Sequence, residues 1–125
     1  MILVDTSIWI DHINKGPEKH LDYLLAGESV VVHPFVFGEI AMGSLKSRRT
    51  QLTFLGDLHR VEIASEIEVR SLIENEKLFG TGLTYIDAHL LAAVVANFMA
   101  GQLRLWTRDK ALHEQAIRLG VAYEP

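Results

Sequence analysis

The chain contains no cysteine, which excludes a disulfide scaffold and any thiolate metal site. Prolines number only three in 125 residues, and no low-complexity tract or linker-like stretch divides the chain into units. Long apolar runs are missing as well. The most apolar stretch, Ala88 to Ala100, is shorter than a bilayer-spanning helix and includes His89 and Asn97. No secretory pattern is visible, because Asp5 and Asp11 interrupt the first apolar run and no basic segment precedes it. A cytoplasmic protein without membrane association is the expectation. Excess positive charge is also absent. The formal net charge of −4 argues against simple electrostatic capture of nucleic acid, yet it leaves room for an enzyme that meets phosphates through metal ions held by its own carboxylates.

What remains is a globular composition, 49% hydrophobic and 22% charged, expected to form one domain over residues 1–125. Ile2-Leu3-Val4 reads as a short buried strand, and Asp5-Thr6-Ser7 follows at its end. Further strands are expected at 30–32, 61–63 and 103–106, with 121–123 as an edge strand. Between them, helical spacing and stop signals predict helices over 7–14, 18–26, 35–45, 50–58, 65–77, 85–100 and 110–119. Ser65 with Glu68 has capping-box register, and Thr84 is a suitable N-cap for the almost uncharged helix after it. Strands alternating with helices, without hairpin turns, imply an α/β fold with a central, mostly parallel sheet of 4–5 strands covered on both faces.

Acids recur where such a sheet presents its ligand-binding edge. Asp5 ends the first strand, Glu39 lies on the helix after the second, Asp87 opens the uncharged helix, and Asp109 follows the fourth strand. Each also has a local use. Asp5 or Ser7 could cap the next helix, Asp87 could complete a capping box with Thr84, and Asp109 could favour a helix start. Glu39 has no capping task, since its helical neighbours Phe35, Val36, Met42 and Gly43 cannot pair with it, which leaves a buried ion pair as its alternative. Several carboxylates at one edge repel one another and call for a cation. Oxygen ligands favour Mg²⁺ or Mn²⁺ over zinc.

Other polar residues are less specific. His33 and His89 could act as acid–base groups or simply be hydrogen-bonded in the core. Lys46, Arg48 and Arg49 could touch a phosphate backbone or form a solvated helix–helix turn, and Arg108 could bind phosphate or pair with an acid. A phosphatase acting through an aspartyl-phosphate needs a second aspartate two residues after the first, where Ser7 stands. A phosphate-binding loop needs more than Gly80-Thr81-Gly82.

Taken in order, Leu3-Val4-Asp5-Thr6-Ser7, Gly38-Glu39-Ile40-Ala41, Asp87-Ala88-His89-Leu90 and Thr107-Arg108-Asp109 resemble the PIN-domain ribonucleases, and more narrowly the VapC-type toxins of type II toxin–antitoxin pairs. The resemblance covers essentially the whole chain. It implies a three-layer α/β/α fold, homodimerisation, and Mg²⁺- or Mn²⁺-dependent endonuclease action on single-stranded or looped RNA, with one or two ions per site. It further implies neutralisation by a small antitoxin protein. By position, Asp5 and Asp87 would be the principal metal ligands, Glu39 and Asp109 would complete the pocket, and Thr6, Ser7 and Thr107 would be hydrogen-bond partners of those acids. The competing reading is a catalytically silent PIN-like protein used for RNA binding or scaffolding. Retention of all four acids weighs against it.

Overall fold

The computed structural model describes residues 1–99 and 102–125 in full, and residues 100–101 only by their place in a helix. The order of elements is β1 (Ile2–Val4), α1 (Thr6–Asn14), α2 (Lys19–Ala26), β2 (Val30–Val31), α3 (Pro34–Met42), α4 (Arg48–Asp57), α5 (Glu66–Asn75), α6 (Tyr85–Gly101), β3 (Arg104–Trp106) and α7 (Lys110–Arg118). The sheet has the order β2-β1-β3 and both pairings are parallel. Helices surround it in the expected three-layer α/β/α arrangement. The first strand of the chain is therefore the central one. Leu3 and Val4 are wholly buried, which is why that strand is a continuous apolar run rather than an alternating one.

The sheet is smaller than expected. Among the described residues three strands form, and the predicted strands at 61–63 and 121–123 are each reduced to a single parallel bridge, Val32 to Arg60 and Leu105 to Ala122. At the first bridge the Val32 N–H donates to His59 O and the Val61 N–H to Val32 O, at 2.9 and 3.0 Å. Pairing stops there because Glu62 and Ile63 are exposed and the chain turns into the α5 capping box only two residues later. At the second, the Leu105 N–H donates to Val121 O at 2.9 Å and the Tyr123 N–H to Leu105 O at 2.8 Å, just before the chain ends. Gly120, at φ +76°, supplies the left-handed turn that frees the chain from α7 to make this bridge.

The helices follow local chemistry closely. Ser65 and Glu68 form the expected capping box on α5, and Thr84 and Asp87 form another on α6. Helix α3 begins at Pro34, whose missing N–H is harmless in a first turn, but it ends at Met42, three residues before the expected Leu45. Arg48 accounts for that early stop: its guanidinium donates to Ala41 O at 2.6 Å and Gly43 O at 3.2 Å, satisfying carbonyls that a longer helix would have used. Helix α6 is buried from Ala88 to Val94, where Leu90, Leu91 and Val94 join the main core and Ala88 and Ala92 let Val69 of α5 approach closely. Its later part is not buried throughout: Val95 and Met99 are 40% and 89% exposed.

Candidate active site

Asp5 stands at the corner where the central strand ends. Its backbone N–H donates to Trp106 O at 2.9 Å, continuing the pairing of β1 with β3, and its extended conformation makes it the N-cap of α1. One carboxylate oxygen accepts from the Thr6 N–H and the other from the Thr107 hydroxyl, both at 2.7 Å. The cap and the candidate ligand are thus the same residue. Only 9% of it is exposed. Burial pushes its pKa above the ordinary 3.8, the bonds from Thr107 and Thr6 pull it down, and the negative charges of Asp87 and Glu39 raise it further.

The other acids reach this corner by separate routes. Glu39, on α3, is exposed rather than set in apolar surroundings, and its carboxylate accepts from the Thr6 hydroxyl at 2.7 Å. Asp87, half-buried, accepts from the Thr84 N–H at 3.0 Å while the Asp87 N–H donates to the Thr84 hydroxyl at 3.1 Å. That box fixes the first turn of α6 and with it the carboxylate that acts on Asp5. Asp109 is exposed, caps α7 through the Leu112 N–H at 2.9 Å, and donates its own N–H to the Thr107 hydroxyl at 3.0 Å. It is connected to Asp5 through one hydroxyl and is not among the charges that raise Asp5. Ser7 is exposed and joins none of these hydrogen bonds.

None of the four acids takes part in an ion pair among the described residues. A buried carboxylate with like charges beside it and no counter-charge is electrostatically unfavourable until a cation arrives. Oxygen-only donors suit a hard divalent ion. The side chains do not yet form a finished cage: among the described residues no three acids or histidines converge closely enough to grip a metal as they stand.

The basic candidates are placed differently. Lys46, Arg48 and Arg49 lie exposed at the turn into α4, where Arg48 is engaged with the carbonyls that end α3. Arg108 pairs with Glu18 and lies 3.8 Å from Asp11, with its guanidinium 5.8 Å from the Trp106 ring centroid. Glu18 is held below its ordinary pKa by the His20 N–H and then by Arg108. His33 and His89 are both buried. The His33 Nδ1 accepts from the Phe35 N–H at 2.9 Å, making this residue the cap of α3, and burial together with His89 lowers its pKa to about 4. Burial lowers that of His89 as well. Both are neutral core histidines at physiological pH. Reasoning from sequence missed Asn14, which donates to Ser44 O at 2.9 Å and accepts from the Lys46 N–H at 3.1 Å. No local signal marks it, since its partners lie about thirty residues away.

A small parallel sheet wrapped by helices, with aspartates after its first and last strands and a glutamate and an aspartate on the helices between, defines a class. The chain belongs to the PIN domain family, whose pattern matches residues 2–117. Ribonuclease VapC32 of Mycobacterium tuberculosis is 40% identical over 122 residues, 98% of this chain and 95% of the relative, and the match is the same in strains CDC 1551 and H37Rv. The resemblance to VapC-type PIN domains therefore holds along almost the whole chain. The crystal structure of PAE2754 from Pyrobaculum aerophilum superposes with a TM-score of 0.58 over 95% of this chain and 94% of that one. At 18% identity it speaks for the fold alone.

Proposed function

We propose that the chain is a metal-dependent endoribonuclease and the toxin of a toxin–antitoxin pair, cleaving single-stranded or looped RNA and thereby inhibiting translation. The observation that carries this reading is Asp5, whose pKa is raised first by burial and then by the charges of Asp87 and Glu39, and which has no ion-pair partner among the described residues. The near full-length likeness to a protein named a ribonuclease supports the choice of RNA. Asp5 and Asp87 would hold Mg²⁺ or Mn²⁺, one or two ions per site, with Glu39 and Asp109 assisting directly or through water. The chemistry such an ion supplies when bound is activation of water for in-line attack on phosphorus and neutralisation of charge there. The chain's own part is positional. Thr107 and the Thr6 N–H orient the two oxygens of Asp5, the Thr6 hydroxyl orients Glu39, and the capping box orients Asp87. The products would carry 5′-phosphate and 3′-hydroxyl ends. A small antitoxin protein, a homodimer and a cytoplasmic location complete the reading.

The test is brief expression followed by transcriptome-wide mapping of new 5′-phosphate RNA ends, with Asp5→Asn as control. New ends and growth arrest are expected for the wild type and neither for the variant, which stays folded. Undiminished cation-dependent cleavage by purified Asp5→Asn protein, free of host nuclease, would sink the reading.

A further inference from the structure

Beside the acids, the same two helices carry aromatic rings with no part in the reading above. On α3, Phe35 lies one turn before Glu39 and so on the same face. On α6, Tyr85 stands in the first turn, two residues before Asp87. His89 joins the two rings, its centroid 4.8 Å from Phe35 and 4.7 Å from Tyr85, with interplanar angles of 68° and 89°. Contacts of this kind set the edge of one ring against the face of the other and hold the rings in place. Tyr85 is 51% exposed, and with Phe79 and Leu83 it lines a hollow of about 210 Å³ at the start of α6. His89 is 5% exposed, and its Nδ1 has no hydrogen-bond partner among the described residues.

We propose that Tyr85, braced by His89 and Phe35, is a stacking platform for an unpaired base of the RNA strand whose phosphate enters the acidic pocket. The inference rests on the ribonuclease reading and adds to it the residue that engages a base. Three considerations favour a base over a protein surface. The acids repel phosphate, so the strand needs a contact that does not depend on charge, and every base offers a π-face. The cluster is built of rings, Phe35, Tyr85 and His89, with no lysine or arginine in it, so this end of the site offers ring contact. Of the three rings in contact only Tyr85 is exposed, and one ring, worth about 250 Å² at most, falls well short of the roughly 800 Å² per partner that a stable protein interface buries.

The test uses binding, so that it does not depend on cleavage. In the Asp5→Asn background, affinity for a short fluorescent single-stranded RNA is compared among Tyr85, Tyr85→Phe and Tyr85→Ala, with melting curves to verify folding. Expected are a roughly tenfold weakening for Tyr85→Ala and less than about twofold for Tyr85→Phe. The loss should be the same at low and moderate salt, and smaller on a blunt duplex of the same sequence. In the active protein, Tyr85→Ala should raise KM far more than it lowers kcat. Unchanged RNA affinity in Tyr85→Ala, with the parent still binding, would overturn the platform and leave the ribonuclease reading intact. Failure of the Asp5→Asn parent to bind any RNA, together with failure of the wild type to cleave any, would overturn both. A Tyr85→Ala protein that binds RNA normally but loses self-association by sedimentation would assign the ring to a protein contact instead, and would also overturn the proposal.

Discussion

Two corners of this molecule share a local design and differ in chemistry. At each, a parallel strand runs into a helix through an aspartate N-cap with extended backbone, φ −71° in both cases. Asp5 follows Val4 at once, on the central strand, and is enclosed by neighbours on either side. Asp109 comes three residues after Trp106, on an edge strand, and is exposed. One capping carboxylate is therefore desolvated and surrounded by like charge, while the other is solvated and linked to it only through Thr107. Capping is a local property; reactivity toward a cation depends on strand order, and strand order is non-local.

The sharpest way to break this comparison is to neutralise each corner in turn. Asp5→Asn should lower RNA cleavage by at least about a hundredfold and Asp109→Asn by about tenfold, measured on one purified substrate with Mn²⁺. Equal losses would mean that burial does not separate the two. Cutting the link is the next test. Thr107→Val leaves one Asp5 oxygen without its donor and the Asp109 N–H without its acceptor, so cleavage should fall about tenfold and stability by about 1–2 kcal/mol by denaturant titration. Thr107→Ser should restore most of both.

A smaller effect follows from the proton on Asp5. Its folded pKa lies above the unfolded value, so the native state binds the proton more tightly than the unfolded chain does. Its contribution to stability is therefore full below about pH 3.8 and is lost as pH rises through the folded pKa. Other acids titrate in the same range, so the quantity to follow is the wild-type stability minus that of Asp5→Asn. That difference should fall as pH rises above 3.8, and a rise would contradict the assigned direction.

The parts legible in the sequence were those governed by neighbours along the chain. Ser65 with Glu68 and Thr84 with Asp87 form the boxes that their spacing announces. The apolar run Ile2–Val4 is a buried strand, and Pro34 opens a helix. The charges of Asp87 and Glu39, on helices α6 and α3, act on Asp5 at the end of the first strand. What was not legible depended on distant partners. The strands expected at 61–63 and 121–123 shrank to single bridges, since β propensity says nothing about how much of a neighbour is on offer. Arg108 could not be settled between phosphate and acid until Glu18, ninety residues earlier, stood beside it. Glu39 read as an acid buried on an apolar stripe, but α3 leaves that face open and Thr6 reaches across to it.

The pairing of β1 with β3 has a consequence for how the chain comes into being. Of the three strands of the sheet, the one bearing Asp5 is made first, and the one beside it that leads to Thr107 is made last. Contacts so far apart in sequence form late, after the intervening loop has been closed. Until residue 106 has emerged, the central strand lacks one neighbour and Asp5 lacks the Trp106 carbonyl and the Thr107 hydroxyl that place it. The nascent chain thus carries its acids in order but unassembled, and a chain interrupted before β3 has no route to the finished corner. A protein proposed to cut RNA in its own cell is, by this topology, kept from assembling that corner until β3 has been made.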